Sequence, residues 1–209
     1  MDCKIKFSCD YRILFGGQNF LILYILKNYS FKEFFASLAD DYLWSLFKHI
    51  PGIEGILFRR FYLKIFSSRC GQGVVFERNV FVRCSSNLLL GDDVFINRDV
   101  HLAALGGLQI GNNVAIGPKV VIITNDHKFL TVGTNYRSRE FVKKQVKIGS
   151  NSVIGANSFI NAGVTIGDDC IIAAGTSVFV DIPDGMQVSG QVTDLYVRNI
   201  RKSLKNTTE

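Results

Sequence analysis

Three histidines, His49, His101 and His127, are the side chains of this chain that can exchange a proton near neutral pH. His127 directly follows Asp126, which either orients the imidazole or caps a turn. A twenty-residue excursion, Lys128–Lys147, comes next. Lys128, Arg137, Arg139, Lys143 and Lys144 stand in it against one acid, Glu140. A connection this long inside a compact domain usually has a function. A base beside a cationic arm suits proton abstraction next to a phosphorylated group, but the same charges would also arise on a plain solvated loop.

The elements that hold these residues follow a count of six. Leu90, Ile96 and Leu102, then Ile110, Ile116 and Ile122, then Ile148, Ile154, Ile160, Ile166, Ile172 and Val178 are all aliphatic. The residue after each is often Gly or Asn, as at Gly91, Asn97, Gly111, Gly117, Gly149, Gly155, Asn161 and Gly167, types that tolerate positive φ at a corner. Four places after each aliphatic stand mostly small or β-branched residues, suited to a narrow strand-lined interior, with Asp126 the one charged residue in that slot. The pattern describes short flat strands joined by turns, three hexads to a coil, coils stacked on a column of Ile and Val. Coils are expected to begin near Cys70, Leu90, Ile110, Ile148 and Ile166. The first spacings are twenty rather than eighteen, so the extra pairs Leu88-Leu89 and Leu108-Gln109 should bulge at one corner. By this count Ile122–His127 is a full hexad, and the break follows the histidine.

With IGSNSVIGANSFINAGVTIGDDCIIAAGTSVFVDIP at its centre, residues 70–190 resemble the hexapeptide-repeat acyltransferases. The likeness is to the galactoside and maltose O-acetyltransferase branch and to bacterial polysaccharide O-acetyltransferases. It implies a mainly β fold, a left-handed parallel β-helix, with acetyl-CoA as co-substrate and a homotrimer whose sites lie between subunits. It implies that His127, last in the hexad before the protruding loop 128–147, is the general base for a sugar hydroxyl. Glu140 stands where that branch has an orienting carboxylate. Asn97 matches an acceptor-contacting Asn, or is a corner Asn doing glycine's work. Arg83 falls on a second acceptor contact of another type, an Asp is replaced by Leu105, and a Trp by Val153, departures that argue against a simple galactoside or maltose. Gly155, Ala156, Ala174 and Gly175 match corners along which the family lays the pantetheine arm. The family's Thr-Lys pair is Phe179-Val180 here, so Arg198 and Arg201 are the substitutes for holding coenzyme A phosphates.

The expected activity is therefore acetyl transfer to a sugar hydroxyl of a surface-polysaccharide precursor or glycan. The alternative is an amino-sugar N-acetyltransferase of the same fold, because those acting on nucleotide-linked sugars often carry Thr-Asn-Asp where this chain has Thr124-Asn125-Asp126; Asn125 is then an acceptor contact. A zinc site would need three histidines on the coils, and His49 lies outside them, so no metal is expected. Nucleic acid has only the net charge of +6 behind it and no reading motif.

Residues 1–69 read as a helical appendage. Ser30 and Glu33 form a capping box before a run with helical spacing that ends at Pro51-Gly52, and IEGILFRRFYLKIFSSR is a second helix, apolar nearly all round. It either caps the open first coil or lies in a membrane interface with its cations towards anionic lipid. The longest apolar run, FLILYIL, is far short of the roughly 20 residues needed to span a bilayer. The start MDCKIKFSCD lacks the features of a secretory leader and five Cys imply no disulfide framework, so a cytoplasmic setting is expected, at the inner membrane face if the helix touches lipid. Residues 191–209 read as a short basic helix and tail.

Overall fold

A large aliphatic side chain every six residues can be buried throughout only if the chain turns once per hexad. In the computed structural model, which describes residues 39–127 and 141–190, it does so. The first coil is β1 (Arg69–Cys70), β2 (Val75–Phe76) and β3 (Phe81–Arg83), and the second is β4 (Leu88–Leu90), β5 (Phe95–Ile96) and β6 (His101–Ala103). The third is β7 (Leu108–Ile110), β8 (Ala115–Ile116) and β9 (Val121–Ile123). A two-stranded arm, β10 (Asn125–His127) and β11 (Phe141–Lys143), interrupts here. The fourth coil is β12 (Val146–Ile148), β13 (Val153–Ile154) and β14 (Phe159–Ile160). The fifth is β15 (Thr165–Ile166), β16 (Ile171–Ile172) and β17 (Ser177–Val178), followed by β18 (Gln187–Val188). Strands of successive coils pair in parallel into three flat faces: A (β1-β4-β7-β12-β15), B (β2-β5-β8-β13-β16-β18) and C (β3-β6-β9-β14-β17). The architecture is a parallel β-solenoid.

All twelve repeat aliphatics are 2% exposed or less, and they form the core column. The second inward slot holds buried Val94, Val100, Val114, Val120 and Val164, with Ser152, Ser158 and Thr176 in the later coils. Two of these hydroxyls pair with backbone, Ser158 Oγ donating to Ala173 O at 3.0 Å and Ser152 Oγ to Gly167 O at 3.1 Å, while buried Thr176 Oγ1 has no partner among the described residues.

Two details differ from the sequence reading. Positive φ falls three places after nine of the twelve aliphatics rather than one, at Asp93, Asp99, Asn113, Lys119, Asn151, Asn157, Gly163, Asp169 and Gly175. The glycine directly after the aliphatic serves close stacking instead. At the A–B edge Gly71, Gly91, Gly111, Gly149 and Gly167 lie one above another, and a Cβ on Gly149 would come within 2.4 Å of Gly167 C. The extra residues of the long coils do bulge at one corner, but Leu88 and Leu108 are themselves buried strand residues. The bulge precedes them: a 3-10 turn at Ser85–Asn87 in one coil and residues 104–107 in the next.

The open end of the first coil is closed by a helix, α1 (Gly52–Phe66), preceded by a helical stretch through Asp40–Trp44 and Ser45–Phe47. Gly55, Arg59, Tyr62 and Leu63 are its buried side. Tyr62 and Trp44 pack with their rings 5.2 Å apart, and Trp44 lies edge-on to Phe76 at 5.9 Å. Arg59 is 1% exposed and satisfied by backbone: Nε donates to Phe76 O at 2.7 Å, and Nη1 to Phe47 O and Ile50 O, both at 2.9 Å. The capping alternative thus holds for one side of this helix. The expected capping box at Ser30 and Glu33 and the C-terminal helix lie outside the described residues.

Candidate active site

The chain leaves the solenoid after β9, and the reason is local. Thr124 turns inward and is fully buried. Its Oγ1 donates to Ala103 O at 2.8 Å and accepts Gly106 N–H at 2.6 Å, so it ties itself to the bulged corner of the coil below. Lys144 N–H donates to Thr124 O at 2.9 Å and closes the neck. Beyond the neck the chain is free to form a hairpin. Asn125 pairs with Lys143, Asp126 with Val142 and His127 with Phe141, in antiparallel register.

This corrects the count of six at its last step. Asp126 does not fill an inward slot; Thr124 is the buried residue there, and Asp126 is half-buried on the arm. The departure therefore begins at Asn125, so that Asn125, Asp126 and His127 share one strand projecting from the C–A edge. Arg83 ends β3 on the same edge, in the column Arg83, Ala103, Ile123, two coils before the arm. At about 4.8 Å per coil that is roughly 10 Å from the neck. Glu140 and Arg198 lie outside the described residues.

The other proposed contacts gather on the opposite edge of face C. Asn97 stands at the B–C edge, where its Oδ1 accepts Arg98 N–H at 2.8 Å. Its φ is not positive, so it does no glycine's work. Gly155 and Ala156 stand on the same edge in the fourth coil, Ala174 and Gly175 in the fifth. The coil-to-coil bonds there are Gly155 N–H to Ile172 O at 2.7 Å and Gly175 N–H to Ala156 O at 2.8 Å. Among the described residues the N–H groups of Ala156 and Ala174 are not donors in this ladder. One protomer therefore separates its arm and its B–C edge by the width of face C.

Sequence reasoning missed His101. It opens β6 on the outer surface of face C, half-buried, and stacks on Phe81 with ring centroids 4.4 Å apart and planes 19° from parallel. Burial, helped by the nearby Arg83 guanidinium, pushes its pKa below the ordinary value. The twenty-residue spacing of Phe81 and His101 was the available signal, since it makes them strand neighbours. His49 stands beside the cap with Nδ1 3.0 Å from Asn79 Oδ1. The histidines thus fall in three separate places, and no group of His, Cys, Asp or Glu among the described residues is arranged to hold a metal.

The bulged corner borders an open groove of about 360 Å³ lined by Ser68, Asn87, Leu89, Leu105, Gly106, Gly107 and Lys143. It runs from the end of α1 to the arm. Leu105, where the related branch has an Asp, gives it an apolar wall.

Comparisons with known proteins agree with this geometry. A family model for the hexapeptide repeat of succinyl-transferase matches residues 145–179. The chain is 30% identical over 134 residues to the putative colanic acid biosynthesis acetyltransferase WcaF of Escherichia coli (strain K12), covering 63% of this chain and 70% of that one. It is 32% identical over 121 residues to the galactoside O-acetyltransferase of the same organism, 57% of this chain and 58% of that one. Among solved structures, a maltose O-acetyltransferase from Clostridium difficile 630 superposes with a TM-score of 0.67 at 29% identity, over 73% of this chain and 80% of that one. A galactoside acetyltransferase in complex with coenzyme A does so with 0.69 at 28%, over 81% and 83%. The six-residue count, the three parallel faces and the interruption after the third coil have one common explanation: this chain belongs to the hexapeptide-repeat acetyltransferases.

Proposed function

We propose that the protein is an acetyl-CoA-dependent O-acetyltransferase acting on a sugar hydroxyl of a surface-polysaccharide precursor, at the inner face of the cytoplasmic membrane. The observation that carries this reading is the place of His127, on the strand that leaves the solenoid at the neck. His127 takes the proton of the acceptor hydroxyl as its oxygen attacks the thioester carbonyl. Collapse of the tetrahedral adduct breaks the C–S bond; the thiol of coenzyme A departs with the proton, and the sugar keeps the acetyl group. Asp126 orients the imidazole, and Glu140 is the second candidate for that role. Asn97, Arg83 and Asn125 contact the acceptor. Ala156 and Ala174 donate their backbone N–H groups to the pantetheine amides, with Gly155 and Gly175 keeping the edge low, and Arg198 reaches the phosphates. WcaF, a putative acetyltransferase of colanic acid biosynthesis, supports the polysaccharide acceptor, and the galactoside enzyme supports the donor through its bound coenzyme A.

The separation of the two edges supports a homotrimer with sites between subunits. Face A is mostly polar outside, its outward column being Arg69, Leu89, Gln109, Lys147 and Thr165, with Leu89 the one apolar member. Face B carries the column Val75, Phe95, Ala115, Val153, Ile171 and, last, Gln187, and face C carries Phe81, His101, Val121, Phe159 and, last, Ser177, so both are apolar over most of their length. Two apolar faces out of three are what a closed ring of heterologous contacts uses. Such a ring lets the arm of one subunit meet the B–C edge of another.

The test is purified protein with acetyl-CoA and a panel of sugars, lipid-linked sugars, nucleotide-sugars and their amino analogues, read by mass spectrometry. Acetylated hydroxyl product, lost in His127→Ala, is the expected result. Transfer only to amines, or wild-type transfer in His127→Ala, overturns it.

A further inference from the structure

α1 is apolar on two sides, and among the described residues one of them packs against the solenoid. Its buried side closes the first coil, so its opposite side forms the end of the molecule among the described residues. There Ile53, Leu57, Phe61 and Ile65, spaced by four, are 73%, 60%, 64% and 53% exposed, and Phe58 beside them is 46% exposed. Tyr42 and Leu46, 71% and 62% exposed, add to the surface from the preceding stretch. Of these, Phe58 stacks on Phe47 with ring centroids 5.5 Å apart, while the others keep most of their surface exposed. Exposed Lys64 and half-buried Arg60 fall along one edge of the stripe; the acids nearby are Glu54 in the first turn and Asp41 beside Tyr42.

We propose that this outer side of α1 is a docking surface for an anionic lipid bilayer, with the helix lying in the plane of the interface. The inference rests on the membrane-proximal part of the proposed function, not on the acetyl transfer. Apolar side chains on one arc would enter the acyl boundary, while Lys64 and Arg60 at its edge meet anionic headgroups. No helix of the described residues is long and apolar enough to cross a membrane, so the contact is peripheral. A second copy seated on this surface about a two-fold axis would bring its own Arg60 and Lys64 to the same patch, which charge disfavours. In a ring of parallel solenoids the three α1 surfaces point the same way, so three weak contacts act together. The groove bordered by Ser68 and Lys143 then leads from the membrane end towards the arm, which suits an acceptor whose sugar is held on a lipid.

The experiment is flotation of the full chain with vesicles of phosphatidylcholine alone and of phosphatidylcholine mixed with phosphatidylglycerol. The wild type should float with the anionic vesicles, and less at high salt. The double variant Leu57→Asn/Phe61→Asn should bind at least tenfold more weakly, and Lys64→Glu should weaken binding to the anionic vesicles. Both should keep the wild-type oligomer and its transfer to a soluble acceptor, so a failed transfer assay reports on the proposed chemistry and not on docking. No flotation with either vesicle, equal flotation of the double variant, or a doubled assembly that the double variant dissolves, would overturn the proposal; the last outcome would make the occupant a second copy.

Discussion

The two edges of face C are built from the same repeat and behave in opposite ways. The B–C edge is regular through all five coils: short turns with positive φ at Asn79, Asp99, Lys119, Asn157 and Gly175, and Gly or Ala where later coils approach. The C–A edge is irregular in the first three coils, with turns at residues 84–87 and 104–107 and then the arm. Stacking explains the difference. An edge that only supports its neighbours is held to one residue pattern, because every side chain there meets the coils above and below. An edge that bulges frees its backbone for other work. The proposed base and Asn125 lie on the second kind of edge, and the proposed donor contacts lie on the first, where a low, repeating backbone is an advantage.

The largest effect that would break this contrast is at the arm. His127→Ala should lower kcat by roughly 10² to 10⁴, the usual range for a positioned base, with the fold unchanged by circular dichroism. Acetyl transfer within threefold of wild type would remove the arm from the chemistry. On the stacking edges the effect is on stability instead. Gly149→Ala brings a Cβ within 2.4 Å of Gly167 C, backbone that cannot swing aside, so it should cost about 1–3 kcal/mol in a denaturant melt. Gly175→Ala meets no atom within 4 Å; it suffers only the strain of φ +73, about 1 kcal/mol. If the two variants lose the same stability, close stacking is not what selects glycine at the A–B edge.

The neck joins the two behaviours and gives a prediction of similar size. Thr124→Val keeps the shape and removes both bonds of Oγ1, leaving the Gly106 N–H without its acceptor. That should cost about 1–3 kcal/mol. It should also raise hydrogen exchange at the Lys144 amide, which donates to Thr124 O, if the neck is what sets the arm. Unchanged exchange there would mean the arm is held by something beyond the neck.

These positions also show why the sequence was readable in part. Burial of one aliphatic per hexad is a strong constraint, so the faces, the coils and the place of the interruption could all be counted. Thr124 was harder, because Ile122–His127 satisfies the count in type while the chain has already left the coil in space. Nothing local distinguishes a Thr that turns inward to Ala103 O from one that continues outward; the partner lies in the coil below. Cys84 at φ 60 is similar, since no residue preference announces it. His101 was hidden because a count of six that starts at the aliphatic puts the preceding residue at a hexad's end, whereas that residue opens the strand, as Phe95, Ala115 and Phe159 also do. The outer side of α1 was legible only as composition, and which half of an all-round apolar helix is buried depends on where the first coil ends.

The smallest effect concerns the surface between the two edges. His101 stacks on Phe81 in face C, next to Arg83 and Val121, and its pKa is lowered, first by burial and then by Arg83. Well above pH 6.5 the imidazole is neutral in the folded and unfolded chain alike, and the stack is intact. Below that, the unfolded chain takes up a proton that the folded chain resists, so stability falls as pH drops from 6.5 through the lowered folded value. His101→Gln has no such group. Its melting temperature should therefore decline less than that of the wild type between pH 7.5 and pH 5, with the difference between the two profiles confined to the acid side. If face C is also the subunit contact, burial of His101 deepens on assembly, and the wild-type oligomer should dissociate over the same acid range at a protein concentration where His101→Gln remains assembled. Parallel melting profiles would show that the stack carries no charge penalty, and loss of assembly independent of pH in both proteins would place the contact on another face.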